Sequence, residues 1–170
     1  MAQQDKVFLN LAGEFAVASE LNRRRVLASV TYGASKSADV FAMNPDMTRI
    51  VRVEVKTTDK HKWPVGEKAT QVTPHSSDVF WVLVQLPVPL DMPAKGEAHR
   101  GTHSPCYFVL SALEIYEVWR KEADDYRKRY LLRHGHDFKG LGVPNVTLKG
   151  VRDFEGKWDK IISRLNERRP

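Results

Sequence analysis

Seven consecutive residues, Ile50 to Lys56, read Ile-Val-Arg-Val-Glu-Val-Lys. Apolar and charged residues alternate, and a period of two is the mark of a β-strand with two unlike faces. Val51, Val53 and Val55 face one way. Arg52, Glu54 and Lys56 face the other. Charges along one face of a β-branched strand make a poor core. They suit a site for a metal ion and a phosphate.

The flanking sequence supplies a partner. Ala38 to Met43 is a short strand candidate, and Asn44-Pro45-Asp46-Met47-Thr48-Arg49 is rich in turn residues. A hairpin centred between Asp46 and Met47 pairs positions whose numbers sum to 93, which sets Asp39 opposite Glu54. Directly opposed Cβ atoms lie roughly 4.5–5.5 Å apart, and like charges there destabilise a sheet. A divalent cation offsets that repulsion. A bulge or an asymmetric turn would instead separate the two carboxylates.

Upstream, Phe8 to Arg25 reads as a helix with Leu11, Phe15, Ala18 and Leu21 as its apolar stripe. Glu14 falls in or beside that stripe, where a carboxylate needs a cation or a route to solvent. The helix closes on Asn22-Arg23-Arg24-Arg25, and cations suit a helix C-terminus. Val26 to Tyr32 is a further strand.

Downstream, Lys60, Lys62 and Trp63 form a basic stretch with one aromatic. Trp63 is either a stacking surface for bases or a cover for the core edge. Val65 to Ser77 is polar, with room for a short helix holding Gln71. Val79 to Leu86 is a near-continuous apolar run, as expected of a central strand buried on both faces. Pro87 to Pro105 has four prolines, no periodicity and the histidines His99 and His103, and is expected to be a flexible loop. Cys106 to Leu110 is a strand. Ser111 and Glu114 form a capping box for a helix reaching about Leu132. His134 and His136 flank Gly135 as a helix end. A last helix spans about Asp153 to Glu167, with Phe154, Trp158, Ile161, Ile162 and Leu165 on its apolar face.

The 170 residues fit one domain, with a core at about 6–133 and a C-terminal helical extension at about 134–170. A single cysteine, Cys106, excludes an intrachain disulfide and a cysteine-based zinc cluster. No apolar run approaches the roughly 18 residues of a membrane span. The N-terminus lacks the order of a signal peptide, and a cytoplasmic protein is expected. A net charge of +6 and a pI near 9.5 favour a polyphosphate partner. Neither a G-x-G-x-x-G nor a Walker lysine loop is present, which argues against nicotinamide enzymes and nucleotide kinases.

Hard cations such as Mg²⁺ take one or two carboxylates, waters and substrate phosphate. Asp39, Glu54 and the Val55 carbonyl would supply the oxygens. Lys56 would orient or activate the attacking water, and Glu14 would add a ligand directly or through water. Lys36, Arg52, Lys60, Lys62 and Trp63 are the candidate nucleic-acid contacts.

Gly13-Glu14-Phe15-Ala16-Val17-Ala18-Ser19-Glu20-Leu21, Ala38-Asp39-Val40 and Glu54-Val55-Lys56-Thr57 together resemble the PD-(D/E)xK nuclease superfamily, whose fold is restriction-endonuclease-like. The chain also looks like a group of small uncharacterised bacterial proteins, which share a tail similar to Val151-Arg152-Asp153-Phe154-Glu155-Gly156-Lys157-Trp158. The resemblance covers about the first 60 residues and this tail. It implies an α/β fold, a central mixed β-sheet flanked by helices in αβββαβ order. It also implies a metal-dependent DNA endonuclease using Mg²⁺ or Mn²⁺, with Asp39 and Glu54 as metal ligands, Lys56 as the catalytic lysine and Glu14 as the helix glutamate. Ala38 stands where the superfamily's proline usually lies, and Gln71 only loosely matches a helix glutamine. Two alternatives remain: a catalytically silent nucleic-acid-binding or protein-interaction module on the same fold, and an RNA nuclease. A double-strand cutter of this size would work as a homodimer.

Overall fold

The computed structural model describes residues 3–31, 38–92, 101, 104–140 and 142–167. Its centre is a five-stranded mixed sheet. Helix α1 (Gln3–Arg23) leads into β1 (Leu27–Val30), β2 (Val40–Met43) and β3 (Ile50–Thr58). These three strands form an antiparallel meander. A short strand, β4 (Lys62–Pro64), and two 3₁₀ helices, Glu67–Thr70 and Pro74–Asp78, then carry the chain across to β5 (Val79–Gln85). That strand lies parallel to β3. Strand β6 (Cys106–Ser111) pairs antiparallel with β5, so the sheet order is β1-β2-β3-β5-β6.

Helix α2 (Ala112–His134) follows at once, capped by Ser111 and Glu114 in a complete capping box. It ends at Gly135, which is left-handed at φ 71°. Strand β7 (Asn145–Thr147) pairs with β4 as a two-stranded ribbon. Helix α3 (Leu148–Val151), a 3₁₀ turn (Arg152–Phe154) and helix α4 (Asp159–Asn166) complete the described chain. Among the described residues, no helix is long and apolar enough to cross a membrane.

Each sheet face covers its own core. Val51, Val53 and Val55 join Val17, Ala18, Leu21, Val82, Val109, Trp158, Ile161 and Leu165 beneath α1 and α4. Trp81, Leu83 and Leu110 project the other way, onto Trp63, Val146, Val151 and Ile115. The strand alternation of β3 is therefore real, and its charged face belongs to the second side.

Several sequence expectations need correcting. The crossover between β3 and β5 contains no α-helix. Its two 3₁₀ turns leave Gln71 extended and exposed just after the first of them, so the helix-glutamine match fails. The αβββαβ order is broken accordingly, because no α-helix follows β3 directly and α2 comes only after three further strands, β4, β5 and β6. The last helix is interrupted: Gly156, at φ 65°, separates the 3₁₀ turn at Phe154 from α4. The C-terminal extension contributes to both cores. Trp158, Ile161 and Leu165 fill one core, Val146 and Val151 fill the other, and Lys160–Glu114 and Arg164–Asp78 ion pairs at 2.7 and 2.8 Å tie α4 down. A core ending at residue 133 would lack these walls.

The buried face of α1 is also rotated from the expected stripe. Gly13, Val17, Ala18 and Leu21 face the sheet, whereas Phe15 is half exposed. Gly13 decides this. A Cβ there would lie 1.8 Å from the Thr57 hydroxyl oxygen and 2.9 Å from Thr57 Cβ, so only a bare helix turn fits against β3 at that point. Hydrophobicity alone selects the phenylalanine, whereas close approach selects the glycine.

Candidate active site

The hairpin register agrees with the sequence reading. Val40 pairs with Val53, Phe41 with Arg52, Ala42 with Val51 and Met43 with Ile50. The ladder stops one residue short of Asp39. The Asp39 N–H donates to the Val53 carbonyl at 3.1 Å, the acceptor of an in-register neighbour, and the chain then turns away. Beyond that point the β2-side edge of β3 is open. The Val55 N–H, deprived of a backbone partner, donates to Asp39 Oδ2 at 2.7 Å. The side chain of Asp39 thus completes the ladder that its backbone leaves unfinished.

On this edge Lys56 curls back. Its Nζ donates to the Val55 carbonyl at 3.2 Å and stands 3.8 Å from Asp39 Oδ2. It also lies 5.9 Å over the Trp81 ring, a cation–π distance. Trp81 is the parallel-strand neighbour of Glu54 on β5. The aromatic floor and the charged face of β3 are therefore one surface.

Glu54 is buried, with a side chain only 6% exposed. Its Oε1 accepts from Lys68 Nζ at 2.7 Å. Lys68 sits on the 3₁₀ helix Glu67–Thr70, and its own side chain is 55% exposed. No sequence signal pointed to Lys68, because the polar segment containing it has no periodicity. The 3₁₀ turn gains its place from Ala69, buried beneath it in the second core.

Glu14 completes the group. The Gly13–Thr57 contact seats α1 on β3 one residue away, and Glu14 lies within electrostatic range of Asp39 and Lys56. Burial raises the pKa of its carboxyl, the negative charge of Asp39 raises it further, and Lys56 works in the opposite direction. The structure thus brings Glu14, Asp39, Lys56 and the Val55 carbonyl together, with Glu54 next along the same strand face.

The expected repulsion between Asp39 and Glu54 is relieved by protein groups. Asp39 has the Val55 amide and Lys56; Glu54 has Lys68. Among the described residues, no three His, Cys, Asp or Glu side chains gather into a metal-holding group. What remains is two carboxylates and one backbone carbonyl. That is a hard-oxygen donor set, the kind Mg²⁺ accepts when waters and substrate supply the rest. On that chemistry the residues fit the ion.

The proposed nucleic-acid contacts are scattered. Trp63 is completely buried, its indole N–H donates to the Val84 carbonyl at 3.0 Å, and its ring meets Phe108 edge-on. It is a core residue with no exposed ring face to offer a base. Lys60 and Lys62 are exposed, and Arg52 is half-buried. Lys62 lines an 820 Å³ groove between β4 and α2, with Lys121, Arg129 and Lys149 among its other walls. Lys36, His99 and His103 lie outside the described residues.

Compared with known proteins, the chain matches no protein-family model and no curated sequence.

Proposed function

We propose that this chain is a metal-dependent endonuclease of the PD-(D/E)xK kind, on a restriction-endonuclease-like fold, hydrolysing DNA phosphodiester bonds. One observation carries the reading. Asp39 and Lys56 meet at 3.8 Å over the open edge of β3, beside Glu54 and within electrostatic reach of Glu14. Completing the ladder accounts for Asp39 alone; it calls for no lysine at the same carboxylate.

In this reading Asp39, Glu54 and the Val55 carbonyl would hold Mg²⁺ or Mn²⁺, which would supply Lewis acidity toward a phosphoryl oxygen and toward water. The Lys56 ammonium is placed at the same edge. It donates hydrogen bonds to the attacking water and to the phosphoryl oxygens, orienting the first and neutralising charge that develops on the second. The Trp81 ring beneath limits where that ammonium can go. Burial and the neighbouring Asp39 raise the pKa of the Glu14 carboxyl above the ordinary carboxylate range. The basic surface at Lys60 and Lys62, together with the net charge of +6, suits the DNA backbone.

The test is direct. The protein is incubated with supercoiled plasmid and with branched DNA in Mg²⁺ or Mn²⁺, beside Lys56→Ala. Nicking by the native chain that Lys56→Ala abolishes supports the reading. Inactivity of both on DNA, with cleavage of RNA, replaces the substrate. Inactivity on both nucleic acids, unchanged by the substitution, replaces the enzyme with a binding module.

A further inference from the structure

The carboxylates of this site already have cations, and those cations are lysines. Lys68 Nζ is 2.7 Å from Glu54 Oε1, a contact a divalent ion would contest. Lys56 Nζ lies 3.2 Å from the Val55 carbonyl and 3.8 Å from Asp39, again on the oxygens assigned to the ion. The two lysines are not equivalent. Lys56 is built into β3 and backed by Trp81. Lys68 arrives from outside, on a four-residue 3₁₀ helix held by one buried side chain, Ala69, and entered through Gly66 at φ 72°. The two partners of this pair are unequally buried, and a cation that keeps its own route to solvent can swing away without unfolding the segment that carries it. Here the Glu54 side chain is 6% exposed and the Lys68 side chain 55%. The anion is fixed and its counter-ion is presented from solvent.

We propose that Lys68 is a displaceable latch: its ammonium holds Glu54 in the metal-free protein and must leave when a divalent cation binds. The inference rests on the metal-site reading above. It makes Lys68 a positioning residue acting through Glu54. A buried carboxylate stripped of its partner is costly, so the latch keeps the empty site folded. The same attraction must be broken on loading, so the latch weakens cation binding. One side chain therefore sets both quantities in opposite directions.

The experiment uses the full chain without nucleic acid. Mn²⁺ and Mg²⁺ are titrated calorimetrically into the native protein, Lys68→Ala and Lys128→Ala, and thermal unfolding is followed in EDTA and at saturating Mn²⁺. Lys128 is exposed on α2 and controls for the loss of one positive charge. The expected result is Mn²⁺ binding about tenfold tighter in Lys68→Ala, with Lys128→Ala close to native. In EDTA, Lys68→Ala should melt about 2–4 °C lower, and saturating Mn²⁺ should restore the difference. Lys68→Arg keeps the charge and should stay near native in both assays. Equal cation affinity in native and Lys68→Ala, with a melting loss that Mn²⁺ does not repair, overturns the latch while leaving the metal site standing. Equal tightening in Lys128→Ala overturns it too, as bulk electrostatics. Absence of cation binding in all the proteins removes the metal site itself and the latch with it.

Discussion

The two faces of β3 are made from one seven-residue alternation and do opposite work. On one side Val51, Val53 and Val55 are buried among aliphatic residues under α1 and α4. On the other, Glu54 and Lys56 lie over Trp81 and are satisfied one by one, by Lys68, by Asp39 and by the Val55 carbonyl. The apolar face is redundant, since many contacts share the load. The charged face relies on a few specific polar partners for each group. A truncation on the first should cost stability and spare chemistry. A truncation on the second should do the reverse.

The largest separation is expected at Lys56. Lys56→Ala should lower DNA cleavage by about 10²–10³-fold, the range for loss of one hydrogen-bond donor to developing charge. Its urea-unfolding free energy should stay within about 1 kcal/mol of native, because the ion pair is partly exposed. A matching loss of stability would break the division between the faces. At Val53 the pattern inverts. Val53→Ala removes two buried methyl groups and leaves a cavity, which should cost about 2 kcal/mol in chemical denaturation. Cleavage per folded molecule should be unchanged.

Gly13→Ala probes the joint between the faces. Alanine favours a helix interior by about 1 kcal/mol, yet its Cβ would collide with Thr57, so a net loss of about 1–2 kcal/mol is expected. Because the collision pushes α1 off β3, it should also shift Glu14 and reduce cleavage. A stabilised, fully active Gly13→Ala would show that the close approach is not needed.

A smaller effect is expected from Glu14 and pH. Its folded pKa is raised by burial and by Asp39, so the folded state binds its proton more tightly than the unfolded chain does. Stability should therefore fall as pH rises from the ordinary carboxylate value through the raised one, and the penalty should persist above it. Glu14→Gln should flatten that part of the stability profile and be the more stable protein at neutral pH. A profile identical to native would separate Glu14 from the charged group. Least of all, Thr57→Val should change the urea-unfolding free energy by no more than about 0.5–1 kcal/mol, because it removes a buried hydroxyl that has no hydrogen-bond partner among the described residues but sets a bulkier methyl group against the close-packed Gly13.

How far the sequence could be read depended on how local each feature was. The strands of the meander and the hairpin register follow from alternation and turn chemistry, which act over a few residues. The capping box at Ser111 and Glu114 and the helix end at Gly135 are equally local. The rotation of α1 was misread because Phe15 outweighs Gly13 on any hydrophobic count, whereas the reason for Gly13 lies on β3, at Thr57. The helix expected around Gln71 was misread because a polar, aperiodic segment takes its shape from what it packs against, here Ala69 in the second core. Trp63, open to two readings in sequence, is settled by the Val84 carbonyl that accepts its indole N–H.

By itself, then, the sequence determined the two unlike faces of β3, the numbers that align Asp39 with Glu54, and the order Asp39, Glu54, Lys56 along the hairpin. These rest on backbone periodicity, which neighbouring residues impose on one another. Only the tertiary structure decided that Asp39 turns its carboxylate onto the Val55 amide, that Gly13 seats Glu14 beside that group, and that Lys68 reaches Glu54 from a 3₁₀ turn. Each of these joins residues distant in the chain, through a missing ladder partner, a missing Cβ or a buried charge. Such vacancies exist only once the chain has folded.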